Sequence, residues 1–464
     1  MKHVLSLIVL LLLVLSLGCS CGNEAIVSGF SAGETWYAGF ASEEIPLPEN
    51  TEEPLYIAGY RQGVEITGVL DLPRANAVWL DVGGSGILLI GIDCVGLGSD
   101  TVARIREELS DFCRETACDV VHVYATHTHA GIDTLGLWGP IAVDGKNDDY
   151  MENLVATAVS AAKAAYTDRS SGRLLYSASI PEDLLYDSRR PASYDPTLYQ
   201  IRFASDDPSQ NGVRLLFYAA HAESLRGSNT LLSRDFPGVV SDLVGNATGD
   251  GVMFLPGAIG GLIMTKELVG DPFDAEENLR LTGEILADSV LASAEETEIP
   301  PVLAYASQSV KIPLDNTLFL CYRFLGNLGN PIANGGGETG YSLISEVGAL
   351  QLGGVTLALI PGELFPELAY GDGLAEEDPE ALSSVAARYG VEKLLIVGLC
   401  NDELGYIVPP SDYRINPDAP YLEGIEDETG ENHYEETNSA GIKTAEIILS
   451  SLEHLLECLS NLEK

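Results

Sequence analysis

The chain has 464 residues, and 69 acidic against 25 basic side chains give it a formal net charge of −44. That much negative charge argues against nucleic acid and anionic membrane surfaces as partners, because both would repel it. An apolar content of 46% argues against a disordered chain.

Residues 1–22 read as an export signal. Lys2 and His3 form a short basic start, and Val4 to Leu17 is an apolar run of signal-peptide length. A membrane span would need about 20 such residues. Ser16-Leu-Gly-Cys19 resembles a lipoprotein cleavage box, which makes Cys19 the candidate lipid attachment point. The expectation is an exported protein, soluble or tethered to a membrane only through that anchor. Residues 23–464 exceed the usual size of one domain, but no Pro/Ser-rich linker divides them, and they read as a single catalytic domain.

Ile87-Leu-Leu-Ile-Gly-Ile-Asp93 is a continuous apolar run typical of a buried strand. Val102, Ile105, Leu109 and Phe112 then recur at helical spacing. Val120-Val-His-Val-Tyr-Ala-Thr-His-Thr-His-Ala-Gly131 follows, a β-branched strand ending in two of the chain's seven histidines. Helices are expected over 150–167 and 276–297, with strands at Val213 to Ala220 and Val252 to Leu255. Val355 to Ile360, a helix around Ser383 to Tyr389 and the strand Lys393 to Gly398 repeat the first strand–helix–strand pattern. A last helix runs from Ile442 to Leu459. Segments 321–345 and 405–440, rich in Gly, Pro, Asn and Tyr, read as loops over a site. The alternation predicts an α/β fold with layered mixed sheets, flanking helices and a metal site at strand carboxyl ends.

Beyond Cys19 and Cys21, the cysteines are Cys94, Cys113, Cys118, Cys321, Cys400 and Cys458, and none forms a Cys-x-x-Cys pair. Thiolate zinc sites are therefore not expected. Export permits disulfides, with Cys113–Cys118 the nearest candidate pair. Cys94 and Cys400 follow apolar runs and read as buried free thiols.

Four strand ends deliver groups fit for metal or acid/base work. They are His127 and His129, then His221, then Glu363 after Ile360-Pro-Gly, then Gly398-Leu-Cys-Asn-Asp-Glu-Leu-Gly-Tyr406. Side chains two apart on a strand share a side, so both imidazoles of His127-Thr-His129 can face one cavity. They would serve as metal ligands, or as a ligand plus an acid/base, whereas the bland alternative is a pair of satisfied loop histidines. Two imidazoles and a carboxylate suit Zn²⁺ with an open position for water.

Ala125-Thr-His-Thr-His-Ala-Gly131 resembles the Ala-Thr-His-Thr-His-Ser-Gly motif of the neutral, non-lysosomal ceramidase family. Further segments follow in that family's order. They are Ile57-Ala-Gly-Tyr60, Gly91-Ile-Asp-Cys-Val-Gly-Leu97, Ser188-Arg-Arg-Pro191, His221-Ala-Glu-Ser224, Ser233-Arg-Asp-Phe-Pro-Gly238, Pro361-Gly-Glu363 and Asn401-Asp-Glu-Leu-Gly-Tyr406. The resemblance implies zinc held by His127, His221, Glu363 and Tyr406. It also implies His129 as a neighbouring acid/base and Arg189 on the substrate carbonyl or oxyanion. Asp235 fits a carboxylate orienting a ligand histidine, or alternatively a helix N-cap before Pro237. Glu223 and Asp93 read as structural.

Two features depart from that family. Leu255-Pro-Gly-Ala-Ile-Gly-Gly-Leu-Ile-Met264 stands where the family carries Gly-Asp-x-Ser-Pro, and it contains neither serine nor aspartate. Thr265 is adjacent without being a clear replacement. The resemblance also covers the catalytic region alone, without the family's C-terminal β-sandwich. The expected activity is zinc-dependent hydrolysis of an amide bond in an N-acyl lipid, through zinc-activated water. The alternatives are a zinc hydrolase of a non-lipid amide or ester, and an exported non-catalytic metal-binding protein on the same fold. A metal-free serine hydrolase is not expected, because no Gly-x-Ser-x-Gly elbow is present.

Overall fold

The computed structural model describes residues 25–462 except 50–52, 191, 271, 294 and 429. The export signal, Cys19 and Pro191 lie outside the described residues. No helix among the described residues is long and apolar enough to cross a membrane.

Two sheets stack face to face. The larger runs in the order Gly251–Pro256, Val213–Tyr218, Leu198–Ser205, Ser170–Ser179, Trp36–Glu44, Arg74–Val82, Ser85–Ile92 and Cys118–Ala125, with Thr297–Ile299 paired to Ser170–Ser179. The smaller runs Val27–Ala32, Val302–Leu314, Tyr341–Leu352, Val355–Leu359 and Lys393–Val397, with Ile332–Asn334 paired to Tyr341–Leu352. Their inner faces share one core, in which Trp36, Leu80, Phe203 and Phe217 of the first sheet meet Leu303, Leu350, Leu357 and Val397 of the second. Helices cover both outer faces. Ser99–Thr116 and Asp148–Asp168 pack on the larger sheet through Val102, Ile105, Leu154 and Ala158. Thr444–Leu462 packs on the smaller through Ile448, Leu452 and Leu455. The result is a helix–sheet–sheet–helix layering, the mixed α/β class that the alternation of elements indicates.

Among the described residues, most neighbouring strands of these two sheets are antiparallel, but three pairs within them are parallel. Ser85–Ile92 pairs with Cys118–Ala125 across Ser99–Thr116. Val213–Tyr218 pairs with Gly251–Pro256 across the helix Asp235–Thr248. Val355–Leu359 pairs with Lys393–Val397 across Pro366–Tyr370 and Leu382–Arg388. The sequence pattern indicates two such units, and the described residues contain three. Parallel partners start at the same end, so their carboxyl ends gather in one place, where open sheets bind ligands.

Some expectations need correction. Segment 321–345 is not a loop throughout, because the helix Thr317–Leu325 and the strand Tyr341–Leu352 both enter it. The expected helix over 276–297 ends at Ala292, and Thr297–Ile299 is a strand. Cys113 and Cys118 are free thiols rather than a disulfide, and Cys118 Sγ donates to the Val120 carbonyl at 3.4 Å. Cys94 and Cys400 are buried free thiols, and burial pushes the Cys94 thiol up to about 12.

Candidate metal centre

His127 and His129 leave the end of Cys118–Ala125, His221 leaves the end of Val213–Tyr218, and Glu363 leaves the end of Val355–Leu359. All four side chains are buried, and the structure brings them together. His221 Nε2 lies 2.9 Å from Glu363 Oε2, and His127 Nε2 lies 3.5 Å from the same oxygen. His129 Nε2 is 3.1 Å from His127 Nε2. One ligand atom from each histidine falls within 4.8 Å of the others.

The tautomers follow from the outer contacts. His127 Nδ1 faces the Val95 carbonyl at 2.6 Å, and His221 Nδ1 faces the Ile263 carbonyl at 3.1 Å. A carbonyl only accepts, so both Nδ1 atoms carry hydrogen and, in the neutral rings, both Nε2 atoms present lone pairs inward. Two nitrogen lone pairs and an ionised carboxylate oxygen then converge with no proton among them. A cation resolves that conflict, and the donor set of imidazole and carboxylate suits zinc. His127, His221 and Glu363 therefore fit a metal ion.

Without a cation, protons must do the same work. Burial opposes ionisation of Glu363, but His127 and His221 outweigh it and hold its carboxyl well below the usual range. Burial likewise opposes charge on His221, yet Glu363 raises its pKa. Burial, with repulsion from His127 and His221, holds His129 well below its ordinary value. Burial and the charge of Glu363 push Glu403 well above the carboxylate range.

Tyr406 reaches the group by pairing. Glu363–Leu364 runs parallel to Tyr406–Ile407, with Glu363 opposite Tyr406. Burial, the neighbouring Glu363 charge and a hydrogen bond to Tyr434 all keep the Tyr406 hydroxyl protonated. Segment 405–440, read as a loop over a site, supplies Tyr406, Tyr434, Glu435 and Glu436 from short pieces of strand and 3-10 helix.

Backbone strain concentrates here. Positive φ in non-glycine residues is uncommon, and His127, Arg226, Asp235, Leu262, Leu399 and Asn401 all show it on loops at these strand ends. Asp235 opens the helix Asp235–Thr248. Its carboxylate accepts from the backbone N–H groups of Ser224 (2.9 Å), Leu225 (3.2 Å) and Phe236 (2.7 Å), not from a histidine. It therefore fixes the loop after His221, while the expected contact on the imidazole is made by the Ile263 carbonyl. That carbonyl comes from the segment at 255–264 that lacks the serine. Asp93 is structural, accepting from the Arg74 N–H and the Thr126 hydroxyl.

Arg189 is placed in a different group. Its buried guanidinium meets Glu435 at 2.7 Å, Glu436 at 2.9 Å, Asp412 at 3.0 Å and His433 Nδ1 at 2.6 Å. It also lies 5.5 Å over the Phe365 ring. Burial works against its charge, but Glu435, Glu436 and Asp412 outweigh that and keep it protonated. In this structure three carboxylates hold the guanidinium. Sequence reading missed these partners, and it also missed Glu223, which faces His129.

Glu367 shares this neighbourhood. Burial, aided by Asp187 and Asp412, pushes its carboxyl up to about 8, and its Oε2 has no hydrogen-bond partner. The folded state thus holds the proton more tightly than the unfolded state. The associated stability is fully present below the ordinary value of 4.5 and is lost as pH rises through about 8. Glu367→Gln, which mimics the protonated form, should be more stable than wild type by about 4 kcal/mol near pH 8 and equal to it near pH 4. Melting curves across that range that never diverge would show that Glu367 ionises freely in the folded protein.

Stacked mixed sheets with a histidine–carboxylate group at their gathered strand ends define a layered α/β protein with the fold of the neutral ceramidases. The neutral ceramidase from Pseudomonas aeruginosa superposes with a TM-score of 0.70 at 13% identity, over 92% of this chain and 75% of that one. A ceramidase complexed with C2 superposes with a TM-score of 0.68 at 14% identity, over the same shares of the two chains. No family model and no curated protein matches the sequence.

Proposed function

We propose that this chain is a zinc-dependent hydrolase of an acyl amide, with an N-acyl lipid of ceramide type as the substrate class. The observation that carries the reading is the convergence of His127 Nε2 and His221 Nε2 on Glu363 Oε2, within a fold shared with neutral ceramidases. His127, His221 and Glu363 would hold the ion, with Tyr406 beside Glu363 as the fourth contributor. Zinc at this position supplies Lewis-acid polarisation of an acyl carbonyl and activation of water. The chain's own residues supply the rest. The Val95 and Ile263 carbonyls lock the two ligand imidazoles, and burial of the whole group excludes bulk water and strengthens each electrostatic contact. His129, adjacent to His127, would take a proton from the attacking water at Nε2 and pass it to the leaving nitrogen. Arg189 enters as a support of the wall formed by Phe365 and the segment 433–436.

The test is a panel of acyl amides and esters, N-acyl sphingoid lipids among them, assayed with and without a chelator. Turnover that chelator removes and zinc restores supports the reading. Zinc bound at one per chain with no turnover on any substrate would favour the second reading, an exported metal-binding protein on the same fold. The serine-free segment Leu255–Met264 is the feature that favours it. Export through residues 1–22, tethering at Cys19 and action of 23–464 as one catalytic domain belong to the same proposal. Fractionation of cells expressing the full chain, with a Cys19→Ser control, tests the first two.

A further inference from the structure

His129 is enclosed by two segments from elsewhere in the chain. Its backbone N–H donates to the Ala222 carbonyl at 2.9 Å, and Thr128 and Ala222 form a parallel bridge. The bridge sets residue 223 beside residue 129. Glu223 Oε2 lies 3.6 Å from His129 Nδ1, with the two side chains 1% and 8% exposed. The Tyr60 hydroxyl donates to the same Oε2. The Tyr60 ring stands edge-on to the imidazole, with centroids 5.2 Å apart and planes at 77°. Gly59 permits this approach. Its φ is +111°, and a Cβ there would meet His129 Cγ at 2.5 Å.

Two buried atoms in this cluster have no hydrogen-bond partner, His129 Nδ1 and Glu223 Oε1. A buried carboxylate held by one tyrosine alone is costly, because its other lone pairs are taken from water without replacement. A histidine whose function depends on one ring nitrogen needs the other nitrogen fixed, and a carboxylate is a common means. The two unmet requirements face each other across a gap that a small rotation of the Glu223 carboxylate closes.

We propose that Glu223, oriented by Tyr60, is the positioning residue of His129. Its carboxylate accepts the Nδ1 hydrogen and so selects the tautomer whose Nε2 lone pair faces the group formed by His127, His221 and Glu363. The proposal rests on the reading of His129 as the acid/base of amide hydrolysis. It adds two residues to that chemistry, one of which the sequence presents as merely structural.

The test compares Glu223→Gln, Glu223→Asp and Tyr60→Phe with wild type in the full chain, after melting curves establish that each folds. Three quantities are read: the His129 tautomer by nitrogen-15 NMR of the imidazoles, bound zinc per chain, and kcat and KM on whichever acyl substrate is turned over. Wild type should show His129 protonated at Nδ1. Glu223→Gln should lose that preference and about 10–100-fold in kcat, with KM and zinc content unchanged. Glu223→Asp should recover part of both, and Tyr60→Phe should fall between Gln and wild type. A Glu223→Gln protein with the wild-type tautomer and wild-type kcat overturns the proposal. So does one that keeps the tautomer but sheds zinc, which would make Glu223 a support of the metal instead. Absence of zinc and turnover in wild type would defeat the hydrolase reading, and the tautomer comparison would still decide the role of Glu223.

Discussion

Glu363→Ala is expected to leave the protein folded but without bound zinc and without turnover. The carboxylate is the anionic partner of both inward-facing Nε2 atoms, at 2.9 Å from His221 and 3.5 Å from His127. Structural zinc sites release about 10–16 kcal/mol on binding, so each of four ligands is worth on the order of 3 kcal/mol, or about 100-fold in Kd. The loss should exceed that average, because Glu363 also supplies the charge that makes transfer of a dication into a buried site tolerable. Zinc per chain after dialysis against a fixed free-zinc buffer checks the outcome, with circular dichroism as the control for folding. Zinc retained at wild-type affinity would remove Glu363 from the ligand set. Zinc retained with turnover lost would reassign it as an acid/base.

The site assembles because three parallel strand pairs end together. Each pair supplies a loop that begins at a buried strand end, and each loop carries residues in the left-handed region of backbone space. His127 has a φ of +64° and Asn401 of +69°. Such conformations persist only where surroundings over-determine them. At Asn401 the fixing contacts are explicit. Its Oδ1 accepts from Val123 N–H at 3.1 Å, and its Nδ2 donates to Glu346 at 2.8 Å. The loop that carries Asn401 is thus tied to the strand that leads to His127.

What could be read in the sequence was set by burial. The runs before His221, Glu363 and Cys400 are continuous and apolar at their carboxyl ends, and the run over 120–125 before His127 is broken only by His122. The cause is that both faces of those strand ends are covered, and such runs mark strand ends in one dimension. The antiparallel strands Trp36–Glu44, Ser170–Ser179 and Val302–Leu314 passed unnoticed. They mix serine, glycine and charged residues with apolar ones, and their pairing is set by partners far along the chain. The same limit applied to polar residues. Tyr60 meets Glu223 across 163 positions, and Arg189 meets Glu435 across 246. No spacing rule reports such contacts. Glu223 looked structural because its partner, His129, comes to it only through the bridge between Thr128 and Ala222.

Arg189→Met should destabilise the fold by about 3–5 kcal/mol, the usual cost of removing one partner from a buried ion pair. Glu435 and Glu436 are fully buried, and both depend on this guanidinium. Even with Arg189 present, burial pushes the Glu435 carboxyl up to about 7. Without Arg189 the carboxyls must take up protons or draw in water. The destabilisation should therefore shrink at low pH, where protonation replaces the lost cation, and grow as pH rises toward 8. Methionine fills much of the same volume and can still pack on Phe365, so the loss reports the charge rather than a cavity. Urea midpoints at about pH 5 and about pH 8 measure both parts of the expectation. A residue that instead served as the oxyanion donor would give another pattern, with stability nearly unchanged at both pH values and kcat reduced by about 100-fold or more. Wild-type midpoints in the variant, with kcat so reduced, would return Arg189 to the substrate and displace the carboxylate network as its purpose.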